Sequence, residues 1–477
     1  MRVIVLLVCL VFAACKDASR QGIELRPCHL EGLAEEVRCG RFEVFEDRAI
    51  NAGRRLSIQV AVLPALRRLV APDPLFIFAG GPGQGARGLG DTSARFFKRV
   101  RRARDIVLVD LRGTGGSAPL RCPEGADELA ELTLEAMTTQ IRECLAGIDA
   151  DVRHYTHEQA LQDADEIRRA LGYERLNLWG GSWGTRAALL YALRFPDATR
   201  TVVLDGAVPL DLEFPRTASA DAAAALDRLI ADCLADADCA RAFPDPRALL
   251  TSFDRRFDRG QVTARIRHRR TAIERTVVIP RSVAADMIRG SLYVPRDSAS
   301  VLRIIEHATT GDLAPLVAQY LRTASWSTDD MALGATLSIV CSEDLPQVAG
   351  VDFAGFANGS FFRTGYADAW RTRCSNWPRG PGIQTGGATV SPAPALILSG
   401  LHDPVTPPRT GLAMGRHFSS SWQIVVPGAA HNASFSGCVP DLIARFIERG
   451  TGDGLDTSCA SQVAWPPFVV SDAGTQP

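Results

Sequence analysis

The stretch Leu176-Asn-Leu-Trp-Gly-Gly-Ser-Trp-Gly-Thr185 ends a short apolar run in Gly-Gly-Ser182-Trp-Gly and passes at once into a helix-forming segment. A strand that turns sharply into a helix at G-x-S-x-G lifts a serine hydroxyl to the top of a sheet. The backbone there is strained, so small residues must flank the serine. This makes Ser182 the candidate nucleophile. Glycines and a serine also meet in ordinary loops, so the motif gains weight only if partners occur at the right places elsewhere.

Outward from this stretch, apolar β-branched runs at 56–63, 75–78, 106–109, 176–179, 201–204, 395–398 and 422–426 alternate with helical stretches. Such alternation predicts a mostly parallel sheet flanked by helices. Just before the serine strand, Leu161, Ala164, Ile167 and Leu171 recur at helical spacing and stop at Gly172, which suits a crossover helix over 157–171. Residues 209–384 read differently, being rich in Ala, Leu, Arg and Asp with one β-like patch at 276–279. They predict an inserted, mainly helical cap domain, containing an alanine-rich helix around 218–225 and a Pro/Gly-rich return linker at 378–394. The expected division is a leader over 1–14, a first core part over 23–208, the cap over 209–384 and a second core part over 385–465. No internal repeat is visible.

The chain of 477 residues is long enough to bury a sizeable core. Its formal net charge of -1 gives no reason to expect nucleic acid or an acidic surface as partner. Lysine occurs only at Lys16 and Lys98, so almost all positive charge is arginine, in runs that read as solvated faces. Residues 1–15 combine one positive charge, an apolar run too short to span a bilayer and a small-residue end, the pattern of an export signal. Phe12-Ala-Ala-Cys15 resembles a bacterial lipobox. The expectation is therefore an exported protein, either anchored through a lipidated Cys15 or cleaved near Ala13 or Ala14 and released to the periplasm or medium. Of twelve cysteines, the ten beyond Cys9 and Cys15 point to disulfides. Loop-closure entropy favours near neighbours: Cys28–Cys39, Cys122–Cys144, Cys233–Cys239, Cys341–Cys374 and Cys438–Cys459. Zinc spacings such as C-x-x-C or His-Glu-x-x-His do not occur, and no metal is expected.

A serine nucleophile needs a base and an acid that orients it, in the chain order Ser, Asp/Glu, His for this strand-turn-helix arrangement. After the run 395–398 comes Ser-Gly-Leu-His-Asp403-Pro-Val-Thr-Pro407, and after 422–426 comes Pro-Gly-Ala-Ala-His431. Each titratable residue lies on the loop directly after a strand, so Asp403 and His431 are the expected partners. Asp205, ending the strand after the serine, is the rival acid. His402 precedes the acid, His417 falls in an expected helix, and His29, His154, His157, His268 and His307 lie off the required positions. An oxyanion hole should come from Ala79-Gly-Gly-Pro-Gly83, with the Gly81 amide, or alternatively that of Gly80, joining the Trp183 amide as donors and Gly80 lining the substrate site. No Lys-Ser/Thr follows that loop, which argues against a nucleotide cradle.

Five ordered motifs carry a family resemblance: Ala79-Gly-Gly-Pro-Gly83, Asp110-Leu-Arg-Gly-Thr-Gly-Gly-Ser117, Gly180-Gly-Ser-Trp-Gly-Thr185, Asp403-Pro-Val-Thr-Pro407 and Gly428-Ala-Ala-His431. Over about 40–460 the chain resembles the proline iminopeptidase and tripeptidyl aminopeptidase branch of the α/β-hydrolases. Cys374-Ser-Asn-Trp-Pro378 and the C-terminal cysteine pair are similar to the exported tripeptidyl side, as is Ala79 where cytosolic relatives carry histidine. The resemblance implies a cofactor-independent serine exopeptidase that removes N-terminal residues from peptides with a free amino end, under a helical cap. It places Glu343, in Cys341-Ser-Glu-Asp344, as an anchor for the substrate ammonium. A carboxylesterase or lipase using the same three residues is the alternative. Residue preference and oligomeric state are left open.

Overall fold

The computed structural model describes residues 22–122, 134–260, 262–267, 274–328, 331–357 and 359–472. The leader, Cys15 and His268 therefore lie outside the described residues.

Nine strands form one sheet: β1 (Arg26–Cys28), β2 (Val37–Phe45), β3 (Arg55–Leu63), β4 (Leu75–Phe78), β5 (Ile106–Val109), β6 (Leu176–Gly181), β7 (Thr199–Asp205), β10 (Ala395–Gly400) and β11 (Ser421–Val426), with a separate hairpin of β8 (Thr263–Arg267) and β9 (Glu274–Val278). The order is β1-β2-β3-β5-β4-β6-β7-β10-β11. The ladders from β5 through β11 are parallel, and β1, β2 and β3 add an antiparallel edge. Every residue of β4, β5, β6 and β10 is buried, as expected of central strands covered on both faces. The short edge strand β1 and all of β2, where Arg38, Arg41 and Glu43 break the apolar pattern, were not legible from sequence. β8 was missed too, although its partner overlaps the expected patch at 276–279. His417 lies in the turn after the helix Pro408–Gly415, not in the helix itself.

The crossover helix spans His157–Ala170 and packs Leu161, Ala164 and Ile167 onto the sheet. Two apolar clusters cover the two sheet faces. A third gathers Leu226, Phe253, Ile288 and Ile305 from the stretch between β7 and β10, with Trp465 and Phe468 of the C-terminal tail against it. That stretch is mainly helical, as expected. All five disulfides occur in the expected pairing. Such bonds persist in oxidising compartments and suit a protein working outside the cytoplasm. Among the described residues no helix is long and apolar enough to cross a membrane.

Candidate active site

Ser182 sits between β6 and the helix Trp183–Arg194 with φ 53° and ψ -122°. A non-glycine residue there is strained by about 1–3 kcal/mol, which the surroundings must hold. They do so through close backbone contacts. A Cβ on Gly184 would lie 2.1 Å from the Phe78 carbonyl oxygen, and one on Gly180 would lie 2.4 Å from that of Gly184. The Ser182 N–H donates to the Asp205 carbonyl at 2.7 Å, and Thr185 Oγ1 donates to the Ser182 carbonyl at 2.6 Å. The helix begins at Trp183, whose N–H has no partner within the helix and points out of its first turn.

The glycine loop after β4 lies alongside. A Cβ on Gly80 would come within 3.3 Å of the Ser182 Cβ. Gly81 and Gly83 have φ near 109° and 108°, conformations that side-chained residues avoid. The loop is clamped from the inserted region, where Ala332 N–H donates to the Gly83 carbonyl at 3.0 Å and Thr336 Oγ1 to that of Pro82 at 2.5 Å. The Asp110 motif ties the same loop down from below. Its carboxylate accepts from Arg87 N–H at 2.8 Å and Gly116 N–H at 2.9 Å, and Gly85 and Gly115 leave it room. Behind the loop a cavity of about 30 Å³ is lined by Gly80, Pro82, Thr156, His157 and Trp183.

At the ends of β10 and β11 the structure brings Asp403 and His431 together, Nδ1 to Oδ2 at 2.8 Å. Asp403 is buried and fixed by three further donors: Val405 N–H and Thr406 N–H at 2.8 Å each and Thr406 Oγ1 at 2.7 Å. Burial by itself would raise the Asp403 carboxyl, but His431 and the Thr406 donors hold it below its ordinary value. Burial likewise opposes the charge on His431, and the pull of Asp403, aided by Asp205, raises it above 6.5. Among the described residues both ring hydrogen bonds of His431 run through Nδ1, to Asp403 and Thr406, which leaves Nε2 open. The ring lies over Gly206, whose Cβ position is 3.2 Å from Cε1. Gly206 directly follows Asp205, the residue that accepts the Ser182 N–H, so Ser182 and His431 share this short backbone segment.

Asp205 does not pair with the His431 side chain. Its carboxylate accepts from Ala433 N–H at 2.7 Å and Ser434 N–H at 2.8 Å, holding the loop just past His431. Burial pushes this carboxyl up to about 6. Sequence reading missed two neighbours of His431. Thr406 was within the quoted Asp403 motif, so a signal existed. Tyr293 had none: it comes from the inserted region, accepts the His431 N–H on its carbonyl at 3.1 Å and sets its ring edge-on at 5.2 Å.

Glu343 is buried and faces His157, with the His157 N–H donating to Oε1 at 2.9 Å and Nδ1 lying 2.5 Å from Oε2. His157 thus stands between Glu343 and the cavity beside Gly80. Asp344 pairs with Arg186 at 2.6 Å, both side chains fully buried, and its Oδ2 has no partner. Burial, with Glu343 alongside, pushes the Asp344 carboxyl up to about 6 against the pull of Arg186. His402 and His307 pair with Asp232 and Asp472, away from Asp403. Among the described residues no group of three or more His, Cys, Asp or Glu side chains is arranged to hold a metal.

A family model described as the α/β hydrolase fold matches residues 73–437. The serine protease Hip1 of Mycobacterium tuberculosis is 26% identical over 494 residues, covering 92% of this chain and 91% of that protein. A tripeptidyl aminopeptidase of Streptomyces coelicolor is 29% identical over 214 residues, 41% of this chain and 40% of that one. Among solved structures, proline iminopeptidase of Mycobacterium smegmatis aligns with 86% of this chain and 98% of its own at 16% identity and a TM-score of 0.39. The matched residues run from the start of β4 to just past His431 and so take in all the loops described above, and the chain belongs to the α/β-hydrolase fold family.

Proposed function

We propose that this protein is a serine exopeptidase that hydrolyses N-terminal residues from peptides through Ser182, His431 and Asp403. The observation that carries the reading is the Asp403–His431 pair at 2.8 Å with Nε2 open, over the backbone segment that fixes the strained Ser182 turn. The names of the relatives, a serine protease over nearly the whole chain and an aminopeptidase over part of it, support a peptidase.

His431 Nε2 takes the proton of Ser182 Oγ as that oxygen attacks the scissile carbonyl, and the carbonyl oxygen becomes an oxyanion facing the N–H groups of Gly81 and Trp183. Asp403 holds the ring through Nδ1 and offsets the imidazolium charge. Collapse breaks the C–N bond, the imidazolium returns its proton to the leaving amine, and the acyl group stays on Oγ. Water then attacks this ester, giving its proton to His431, and Ser182 is released with the proton restored. The Glu343 carboxylate, set behind His157 and the Gly80 cavity, supplies negative charge for the free ammonium of the substrate.

Hydrolysis of aminoacyl and tripeptidyl anilides, with free or acetylated amino ends, and of a short-chain acyl ester tests the reading. Selective turnover of the free-amine anilides is expected. Equal or faster cleavage of acetylated or ester substrates would move the protein to an esterase and leave Glu343 without this role.

A further inference from the structure

On the side of the sheet opposite Ser182, the loop from Pro64 to Pro72 joins the end of β3 to the start of β4 and carries Leu66, Leu69 and Val70 at 54%, 90% and 48% exposure. Three of the eleven exposed large apolar side chains of the described residues therefore fall within five consecutive positions. Isolated exposed leucines need no explanation, but a cluster on one loop marks an interaction surface.

The loop is held in shape. Leu66 and Arg67 N–H donate to the Arg101 and Arg102 carbonyls at 2.9 and 3.0 Å, Ala71 N–H to that of Ala103 at 2.7 Å, and Ala65 N–H to Asp105 Oδ1 at 2.8 Å. Arg67, Arg68 and Arg102, exposed and in no ion pair among the described residues, surround the apolar tip. Of the nearby carboxylates, Glu35 is paired with Arg101, Asp73 with Arg104 and Asp441 with Arg99, whereas Asp105 among the described residues accepts only from the neutral Ala65 N–H and Tyr173 hydroxyl and offsets one of these arginines. The overall charge of -1 hides this local excess of positive charge.

We infer that the Pro64–Pro72 loop is a docking element for an anionic lipid surface, its leucines and valine entering the acyl boundary and its arginines meeting the headgroups. A negatively charged bilayer matches both features, its headgroups meeting the unpaired arginines and its acyl boundary the exposed leucines. The placement also suits a hydrolase. The loop lies at the amino ends of the parallel strands, and Ser182, Asp403 and His431 follow their carboxyl ends, so a docked molecule turns those residues toward solvent and its solutes.

The full chain carrying Cys15→Ser, which cannot be acylated at that position, is mixed with vesicles of phosphatidylglycerol and phosphatidylcholine or of phosphatidylcholine alone and sedimented. Association with the anionic vesicles is expected to weaken at least about tenfold on adding Leu66→Ser and Leu69→Ser. It should weaken similarly with Arg67→Glu and Arg68→Glu, and fall with salt. Unchanged near-ultraviolet circular dichroism verifies that the variants are folded. Equal sedimentation of the parent and both variants would overturn the inference, as would failure of the parent to bind anionic vesicles. So would a concentration-dependent dimer, seen by sedimentation velocity, that the leucine substitutions abolish, since it would make a second copy of the chain the occupant.

Discussion

The half-buried turn at Ser182 and the fully buried π-helical turn ending at Glu343–Asp344 are both built around polar groups, yet they are held differently. At Ser182 the motif itself supplies Gly180 against Gly184 and Thr185 Oγ1 on the Ser182 carbonyl, and the neighbouring strands β4 and β7 add the Phe78 carbonyl against Gly184 and the Asp205 carbonyl on the Ser182 N–H. At Glu343–Asp344 they come from far along the chain, with His157 186 positions and Arg186 158 positions away. The first turn is set by its own motif together with neighbouring strands, whose Phe78 and Asp205 carbonyls it meets. The second exists only once the inserted region has docked on the core. In the mechanism proposed above, the chemistry sits on the first turn and the charge that selects substrate on the second.

This contrast can be broken most sharply at the first turn. Ser182→Ala should lower kcat by a factor of about 10⁶ with an unchanged melting temperature; near-normal turnover would remove Ser182 from the chemistry. Asp403→Asn should cost about 10⁴ in kcat. As the base of the proposed mechanism His431 must be neutral, so kcat/KM of the parent should rise with pH through an inflection above the ordinary 6.5, in line with its raised pKa. In Asp403→Asn that inflection should move down, and a pH–rate profile reads both effects.

The second turn should respond in stability. Arg186→Met leaves a buried carboxylate without its cation and should destabilise the fold by about 3–5 kcal/mol near neutral pH. The sign of the pH effect follows from Asp344, whose folded pKa of about 6 lies above the ordinary 3.8. A raised acid contributes stability below the unfolded value and loses it as pH rises through the folded one. Removing Arg186 raises the folded value further, so thermal melts of Arg186→Met should fall more steeply than those of the parent between pH 5 and 8, a range that sits around and above that shifted value of about 6. The smallest effect is expected at Glu343→Gln, a rise of about tenfold in KM for free-amine substrates with little change for acetylated ones, about 1.4 kcal/mol of binding. Equal changes for both substrate classes would reduce Glu343 to a support for His157.

Much of the core was legible because its signals are short-range. Apolar runs with turn residues at their ends located seven strands of the main sheet, and the order of Ser182, Asp403 and His431 along the chain followed from what lies directly after three of them. β1 escaped as a three-residue edge strand and β2 because charged residues on its exposed face interrupt the apolar pattern, and β8 because it pairs only with its hairpin partner. Asp205 illustrates the remaining gap. Its position at a strand end made it a plausible acid, but whether its carboxylate meets the His431 ring or the backbone beyond it depends on how the loop after β11 folds over β7.

The sequence by itself determined the strand-turn-helix at Ser182, the loops that carry Asp403 and His431, and the near-neighbour disulfide pairs, because each depends on backbone conformation and loop length within a short span. Only the tertiary structure decided that Asp205 braces the loop past His431, that Tyr293 reaches the His431 backbone, that His157 covers Glu343 and that Arg186 meets Asp344. Those contacts join residues far apart in the chain, and burial rather than spacing selects them: a charge or carbonyl shut away from water must find whatever partner the packing brings to it.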